Sequence, residues 1–514
     1  MKKKKIFSIM TVAVMLSLSL ASCISDDSTD GNKAIPQLAI EGSDATTMPE
    51  YNIYLGNECV IKPAISYNGN SEDLKYQWMV GTYTNGQKGD LEEVSTEPEL
   101  KYNFTSGGSY YVHLNVTDGK VGKTVNYQVN VNRTFENGYL ITSSDADGKG
   151  NLSFVKILTP KEIAAGEKEV VVEHCMEKIN ENVSEDGLLK AFIATANLWD
   201  GSHASVLKRV LVSTQDRCYF LDPNNFTVLT SIDYASLYPG FKASAFMPDS
   251  YMPYAYDKDM KKFAHINLQF MFPYDYQYFH GCEPEQMVEN YFSQWGTPTE
   301  KTFFLNYSAN TVAIFSSYAS WYGFDNSFPD CKNLLDGQKL ITAFSGVEPN
   351  DSYITPVYIL SKDESSNELY LWENGSTNFM EPAGFVSQKM AITDNTAVPA
   401  QGASFVVTAT YGRYYYAVDN AVYVFLPQNT FSLPNKNQYA IQFGANEEVT
   451  YLYVDLATNE LYVATYDKNT KRGSFYIYDC ADVRTDNAGN VQPKESHKNC
   501  AGRISYVIHK PSIQ

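Results

Sequence analysis

Basic residues are scarce in this chain. Of 514 residues, 40 are Lys or Arg against 59 Asp or Glu, and the net charge is −19. A surface this acidic repels phosphate backbones, and no basic stripe offsets it, which excludes a direct role on DNA or RNA. Histidine is scarce too: seven residues, widely scattered. There is no Gly-x-Ser-x-Gly elbow and no His-Glu-x-x-His pair, so no catalytic residue is assigned. Eight cysteines contain no Cys-x-x-Cys, so neither a zinc knuckle nor a thioredoxin-type site is supported. His174-Cys175 and His280-Gly281-Cys282 read as chance neighbours, and no metal or cofactor is assigned. Carboxylates are plentiful in loops, which leaves a pair set for glycoside cleavage open. Beyond the first twenty residues no apolar run is long enough to span a bilayer.

What is abundant is aromatic and β-branched. There are 39 Tyr, 27 Phe and 5 Trp. Val449–Asp455, Glu460–Tyr466 and Gly473–Asp479 read as three short strands joined by turn residues. Each carries apolar residues on both faces, so the small sheet must be covered on both sides. A blade sandwiched between neighbours in a propeller meets that requirement. Lys208–Ser231, Thr302–Ser317, Lys339–Ser345, Tyr353–Leu360 with Glu368–Trp372, and Phe405–Leu426 supply further strand segments. Glu169–Lys178 and Ser184–Ala196 fit strands or short helices equally well, because periodicity does not decide them. The expected fold is all-β, with a propeller of six to eight blades over 134–514. The final strand, about Arg503–His509, is expected to pair with Gly138–Ser143 and close the ring, removing free sheet edges.

The chain opens with Lys2–Lys5, an apolar Ile6–Leu20 and then Leu20-Ala21-Ser22-Cys23. A positive n-region and a short apolar core make 1–22 a secretory signal. The last four residues resemble the bacterial lipobox, which implies cleavage before Cys23 and lipidation there. Several acyl chains would hold the protein on the outer membrane. Loss of the four lysines takes the net charge from −19 to −23. Residues 23–34 form an acidic tether whose Ser-Asp-Asp-Ser-Thr-Asp run looks like the surface-export signal of Bacteroidota lipoproteins. That favours the outer face of the outer membrane.

Residues 35–133 carry short strands separated by Gly, Asn and Ser, the pattern of a small β-sandwich. Trp78 falls on a central strand, and Tyr110, Val112, Leu114 and Val116 alternate strictly, with His113 on the outward phase. The Gly-x-Tyr-x-Val-x-Leu-x-Val-x-Asp run ending at Asp118 resembles the PKD domain, an immunoglobulin-like module, and a spacer role is expected. Gly138-Tyr-Leu-Ile, the Asp145–Asn151 turn, Leu152-Ser-Phe154 and Gly502–His509 resemble the PKD-like family of Bacteroidota lipoproteins, in which such a module precedes a propeller-like region. Asp145–Asn151 has the oxygen spacing of a calcium loop without its later bidentate Glu, and a hairpin turn is the better reading.

Two further sets of residues stand out. Cys480 and Cys500 bracket the polar stretch 481–499 and could pin its base. Cys282 and Cys331 could do the same for the aromatic region between them. Free buried thiols are the alternative. Pro- and Gly-punctuated aromatic runs hold Tyr254, Tyr274, Tyr276, Tyr278, Trp295, Trp321 and Tyr322. They read as loops suited to stacking on sugar rings, gripping extended peptide or meeting a protein partner, with packing between blades as the competing use.

The resemblance implies association with SusC/SusD-type, TonB-dependent uptake systems. The expected function is therefore a surface lipoprotein that captures an oligosaccharide or oligopeptide, or serves the importer as an accessory subunit. An envelope hydrolase with a propeller active site is the alternative.

Overall fold

The computed structural model describes residues 36–45, 47–84, 86–199, 204–248, 253–274, 283–294, 297–315, 334–346, 357–374, 385–408, 410–427 and 430–512. Cys23 and its tether lie outside them. No helix among the described residues is long and apolar enough to cross a membrane.

Up to Asn132 the strands build a sandwich. The larger sheet runs Glu50–Tyr54, Gly122–Asn132, Gly108–Thr117, Lys75–Thr84 and Gln87–Lys88, with Glu92–Ser95 also on Lys75–Thr84. Two small pairs, Leu38–Ile40 with Ile65–Tyr67 and Cys59–Ile61 with Leu100–Tyr102, contribute buried side chains to the same core. Trp78 is fully buried there and its indole N–H donates to Glu97 O at 2.8 Å, which satisfies the one polar atom of the ring. His113 is half-buried, with Nδ1 2.7 Å from Asn126 Oδ1.

From Gly138 onward the described strands form seven sheets, a propeller of seven blades. Blade 1 joins the two ends of the ring. Arg503–Lys510 pairs antiparallel with Gly138–Ser144, which continues to Gly150–Lys156 and Val170–Val172. The expected closure is thus observed. Blade 2 is Leu188–Trp199, Ala204–Thr214, Arg217–Leu221 and Val228–Asp233. Blade 3 is Ala245–Met247, Tyr254–Asp257, Lys262–Asn267 and Phe272–Tyr274. Blade 4 is Gln286–Gln294, Thr297–Asn306 and Thr311–Phe315. Blade 5 is Lys339–Ser345, Val357–Asp363, Glu368–Asn374 and Phe385–Ala391. Blade 6 is Val406–Thr408, Arg413–Val418, Ala421–Phe425 and Ile441–Gln442. Blade 7 is Glu447–Asp455, Glu460–Asp467, Arg472–Asp479 and Glu495–Ala501. The ambiguous stretches resolve as strand Val170–Val172, helix Cys175–Ile179 and strand Leu188–Trp199.

Each blade buries both faces, as its sequence demands. On one side of blade 7, Tyr462, Phe475 and Cys500 pack with Tyr139, Ile141 and Ile504 of blade 1. On the other side, Leu461, Val463 and Cys480 pack with Tyr415 and Val422 of blade 6.

The sandwich is docked, not loosely tethered. Leu55 donates its N–H to Asn132 O (2.9 Å), and Thr134 Oγ1 donates to Leu55 O (2.7 Å). Phe135 of the linker stacks on Phe226 of blade 2 at 4.3 Å and meets Phe154 of blade 1 edge-on at 5.3 Å. Gly56, at φ +93°, faces Val172 so closely that a Cβ would overlap it. Lys156, buried on blade 1, pairs with Glu162, and Tyr54 of the sandwich donates its hydroxyl to the same carboxylate at 3.2 Å. The sandwich thus packs directly on blades 1 and 2.

Candidate functional site

The first strands of the blades surround the ring axis, and between them lies a cavity of about 790 Å³. Blades 1, 2, 3, 4, 6 and 7 all contribute to its wall. Its volume is within the range of small-molecule sites.

The polar part of this wall comes from irregular backbone. Arg503–Lys510 carries an extra residue, Ser505, between the positions that pair with Thr142 and Ser143. Glu447–Asp455 carries an extra Thr450 between Val449 and Tyr451, and Leu188–Trp199 an extra Leu189 just before Lys190. Such bulges release a residue from the ladder and re-aim its side chain. Both Ser505 and Thr450 line the cavity, and Ser505 is exposed there. Ser505 Oγ donates to Thr142 O at 3.3 Å, whereas Thr450 Oγ1 is buried with no hydrogen-bond partner.

Lys190 of blade 2 forms an ion pair with Glu289 of blade 4. Its ammonium also lies 4.7 Å from the ring centre of Tyr506, which in turn sits 5.5 Å from Tyr451. Glu448 of blade 7 is held by Arg503 through two bonds of 2.6 and 3.1 Å, which lower its carboxyl below the usual range. Met247, Met287, Phe405 and Tyr453 add apolar surface. The cavity thus offers a hydroxyl, charged groups of both signs and soft apolar groups, a set that can bind and orient a ligand. Lys190, Glu289, Thr450 and Ser505 were not singled out from the sequence. The one signal was a lysine inside the otherwise apolar Leu188-Leu-Lys-Ala-Phe-Ile.

The aromatic residues predicted as ligand-binding are not assembled here. Tyr254 is a correction. It lies on a blade 3 strand, is 0 % exposed, and packs against Phe263 and Phe304 at the junction with blade 4. The preceding Pro253 reads as loop punctuation but marks the start of a strand, a position Pro tolerates. Tyr274 lies on the outermost strand of blade 3, half-buried, with Phe272 edge-on at 6.0 Å. Tyr276, Tyr278, Trp295, Trp321 and Tyr322 lie outside the described residues, as do Cys282 and Cys331.

Cys480 and Cys500 are a second correction: both are buried free thiols. They sit on opposite faces of blade 7, one in the packing with blade 6 and the other in the packing with blade 1, so the blade itself separates them. Burial raises both thiols, to about 12 in each case, which leaves them protonated and inert.

The turn after Gly138–Ser144 is a hairpin, with Asp145 N–H donating to Lys149 O at 2.7 Å. Asp145 Oδ2 lies 2.9 Å from His174 Nε2, and His174 Nδ1 lies 3.2 Å from the fully buried Glu185. Glu185 also accepts from Leu152 N–H (2.7 Å) and Met176 N–H (2.9 Å). The nearby Glu185 carboxylate raises the His174 imidazole above its ordinary value despite burial. This knot fastens helix Cys175–Ile179 to blade 1, and it leaves the neighbouring Cys175 thiol buried and raised. Among the described residues no group of three or more His, Cys, Asp or Glu is arranged to hold a metal ion.

No family model matches the chain. No curated protein matches it either. Among solved structures it is similar to a quinonprotein alcohol dehydrogenase-like protein from Bacteroides thetaiotaomicron, at 15 % identity over 92 % of this chain and 98 % of that one, with a TM-score of 0.47. It is also similar to a chain of a nidogen/laminin complex, at 9 % identity over 73 % and 99 % with a TM-score of 0.32. A third likeness is to apo AztD from Citrobacter koseri, at 8 % identity over 85 % and 98 % with a TM-score of 0.26. At these identities none of those proteins' chemistry transfers to this chain.

Proposed function

We propose that this protein is a lipid-anchored lipoprotein of the outer-membrane surface that captures a small ligand in the axial cavity and serves a SusC/SusD-type, TonB-dependent importer. The observation that carries the binding role is the cavity itself: about 790 Å³, walled by six blades, with the bulged Ser505 supplying a hydroxyl. Bulges next to a cavity are a backbone device that packing alone does not require. The anchor and the address rest on Leu20-Ala21-Ser22-Cys23 and the acidic run after it, and the importer on the PKD-like resemblance. The ligand class is oligosaccharide or oligopeptide, bound without turnover.

Titration calorimetry of the lipid-free mature protein against panels of both ligand types tests the reading. Ser505→Phe places a ring where a solvent-exposed hydroxyl lines the cavity, and should abolish binding while leaving the thermal transition intact. Binding that survives Ser505→Phe would move the site away from the axis. Mild-detergent purification of the native lipoprotein should bring down a TonB-dependent barrel and a SusD-like protein in stoichiometric amounts. Its isolation alone, under conditions that keep other envelope complexes together, would remove the importer role. Metabolic palmitate labelling should mark the wild type and not Cys23→Ala.

A further inference from the structure

We propose that the face of the ring from which the sandwich projects is a docking surface for an integral outer-membrane protein, which sits beside the sandwich and under blades 3, 5 and 6. The inference rests on the anchored-importer reading and adds the surface that meets the partner.

The blades repeat about the axis, so their innermost strands all run from one face of the ring to the other. They end on the sandwich face, where Lys510 Nζ donates to Glu136 O of the linker at 3.1 Å. In each blade, turns after the first and third strands therefore lie on that face, and turns after the second lie on the opposite one. Exposed large apolar side chains follow the first kind of position. Phe270 and Met271 follow the third strand of blade 3 and Phe272 opens its fourth; Phe270 is 66 % exposed and Phe272 45 %. Val386, 69 % exposed, lies at the start of the fourth strand of blade 5. Tyr411 and Leu426 follow the first and third strands of blade 6. Ile163 and Leu229 hold equivalent places on blades 1 and 2, which carry the sandwich. Among the described residues of the ring, Met260 alone has such exposure on the opposite face. There the hairpins of blades 3, 5 and 7 are closed by Asp257, Asp363 and Asp467, which accept backbone N–H bonds. Aromatic, aliphatic and methionine side chains left open to solvent on one face mark an interface.

The kind of partner follows from where the chain leaves. The sandwich meets the ring by one end, through Tyr54, Gly56 and the Asn132 end of Gly122–Asn132. Leu38 is at the other end: it pairs with Tyr67, whose hydroxyl donates at 2.6 Å to Asp118 in the turn that precedes Gly122. Residues 23–35 thus run to the anchor from the end remote from the ring. Gly122–Asn132 is 11 residues long, about 36 Å. A face from which a domain projects that far cannot lie flat on a bilayer, and the tether, at most about 45 Å long, adds to the distance. The apolar positions of blades 3, 5 and 6 instead overlook the space between ring and membrane, next to the sandwich. A membrane protein that rises out of the bilayer fills that space, and lipid does not.

Photocrosslinking of the full-length lipoprotein in its native cells tests this, with a photoreactive phenylalanine analogue placed at Phe272, at Val386 or, on the opposite face, at Met260. Phe272 and Val386 should link to the same integral outer-membrane protein, one that resists alkaline extraction, with a yield at least about tenfold above that from Met260. The double variant Phe270→Asp/Phe272→Asp should lower the Val386 link by about tenfold or more. Its melting temperature and its axial ligand affinity should stay as in the wild type, because both side chains are exposed. Val386→Asp, read from the Phe272 position, keeps the test decisive where the double variant folds poorly. Equal yield from Met260, or links unchanged by both sets of Asp substitutions, would overturn the face assignment. Links to lipid, to a second copy of this chain or to a protein released by alkali would overturn the partner class. Absence of any link, with a TonB-dependent barrel still co-purifying with the wild type, would overturn the surface and leave the importer role standing. Neither link nor co-purification would overturn both.

Discussion

Two junctions of the ring are sealed by different physics. Between blades 5 and 6 the seal is aromatic. Phe344 stacks on Phe405 at 4.3 Å and on Tyr358 at 5.2 Å, and Phe405 stacks in turn on Tyr416 at 4.9 Å. The buried Tyr416 hydroxyl donates to Ala397 O at 2.9 Å, so the one polar atom costs little. Between blades 7 and 1 an apolar layer is also present, but charged groups surround it. Arg472 of blade 7 pairs with Glu173 of blade 1, and Arg503 of blade 1 pairs with Glu448 of blade 7. His497 of blade 7 lies 2.5 Å from Glu169 and 3.2 Å from Glu495, which also accepts from the Tyr139 hydroxyl at 2.8 Å. The two seams join the same kind of sheet. Only the second flanks the blade 1 ladder that joins chain ends more than 350 residues apart, and there specific, directional partners reinforce it.

The largest effect that would break this comparison is loss of the closing strand. Deletion of 503–514 removes the whole ladder with Gly138–Ser144 and should abolish the cooperative calorimetric transition of the ring. A truncated protein that keeps the full transition would mean closure is not what holds the ring.

Next comes the aromatic seam. Phe344→Ala or Phe405→Ala should cost about 3–5 kcal/mol by urea unfolding, since each leaves a cavity in a dry layer. The loss should be the same at pH 5 and pH 8. Gly473→Ala should destabilise the closure seam, because a Cβ there would overlap the carbonyl of Gly502. Its cost should add to that of Phe344→Ala, the two seams being independent.

The pH dependence sharpens the contrast. Burial pulls the His497 imidazole down, but hydrogen bonds to Glu169 and Glu495 outweigh it and hold the group above its ordinary value. A raised pKa favours the folded state most below the unfolded value, about 6.5, and the contribution is lost as pH rises through the folded pKa. Glu495 is lowered by its bond to His497, so its contribution is present above the unfolded carboxylate pKa and lost as pH falls. The charged groups of this seam should therefore contribute most to stability in the mildly acidic range. His497→Gln should flatten the part of the curve above about pH 6. An unchanged slope would assign the pH response elsewhere. The smallest effect is a null one: non-reducing digestion should recover no peptide linking Cys480 to Cys500, and both thiols should alkylate only after unfolding.

The sequence was most legible where local chemistry and packing agree. Val449–Asp479, with apolar residues on both faces and turn residues between, reads as a blade, and it is one. Gly502–His509 reads as a closing strand because a ring must hide its edges. Trp78 reads as a sandwich core for the same reason: one large ring, one alternating strand. The misreadings share a cause. Tyr254 beside Pro253, and Cys480 and Cys500 around a polar stretch, were judged by neighbours in sequence, whereas their fate was set by which face of a blade they occupy.

Sequence alone thus determined that the chain is all-β, that its blades need cover on both sides, and that its ends must meet. Those follow from side-chain period and from the cost of an unpaired edge, which are local. Tertiary structure decided that blade 7 separates the two thiols, that the sandwich is locked onto blades 1 and 2, and that Lys190, Glu289, Thr450 and Ser505 share one cavity. Those depend on a one-residue bulge in each of several strands and on the angle at which distant blades face the axis. A bulge leaves the composition of a strand unchanged, so nothing in the order of residues announces it.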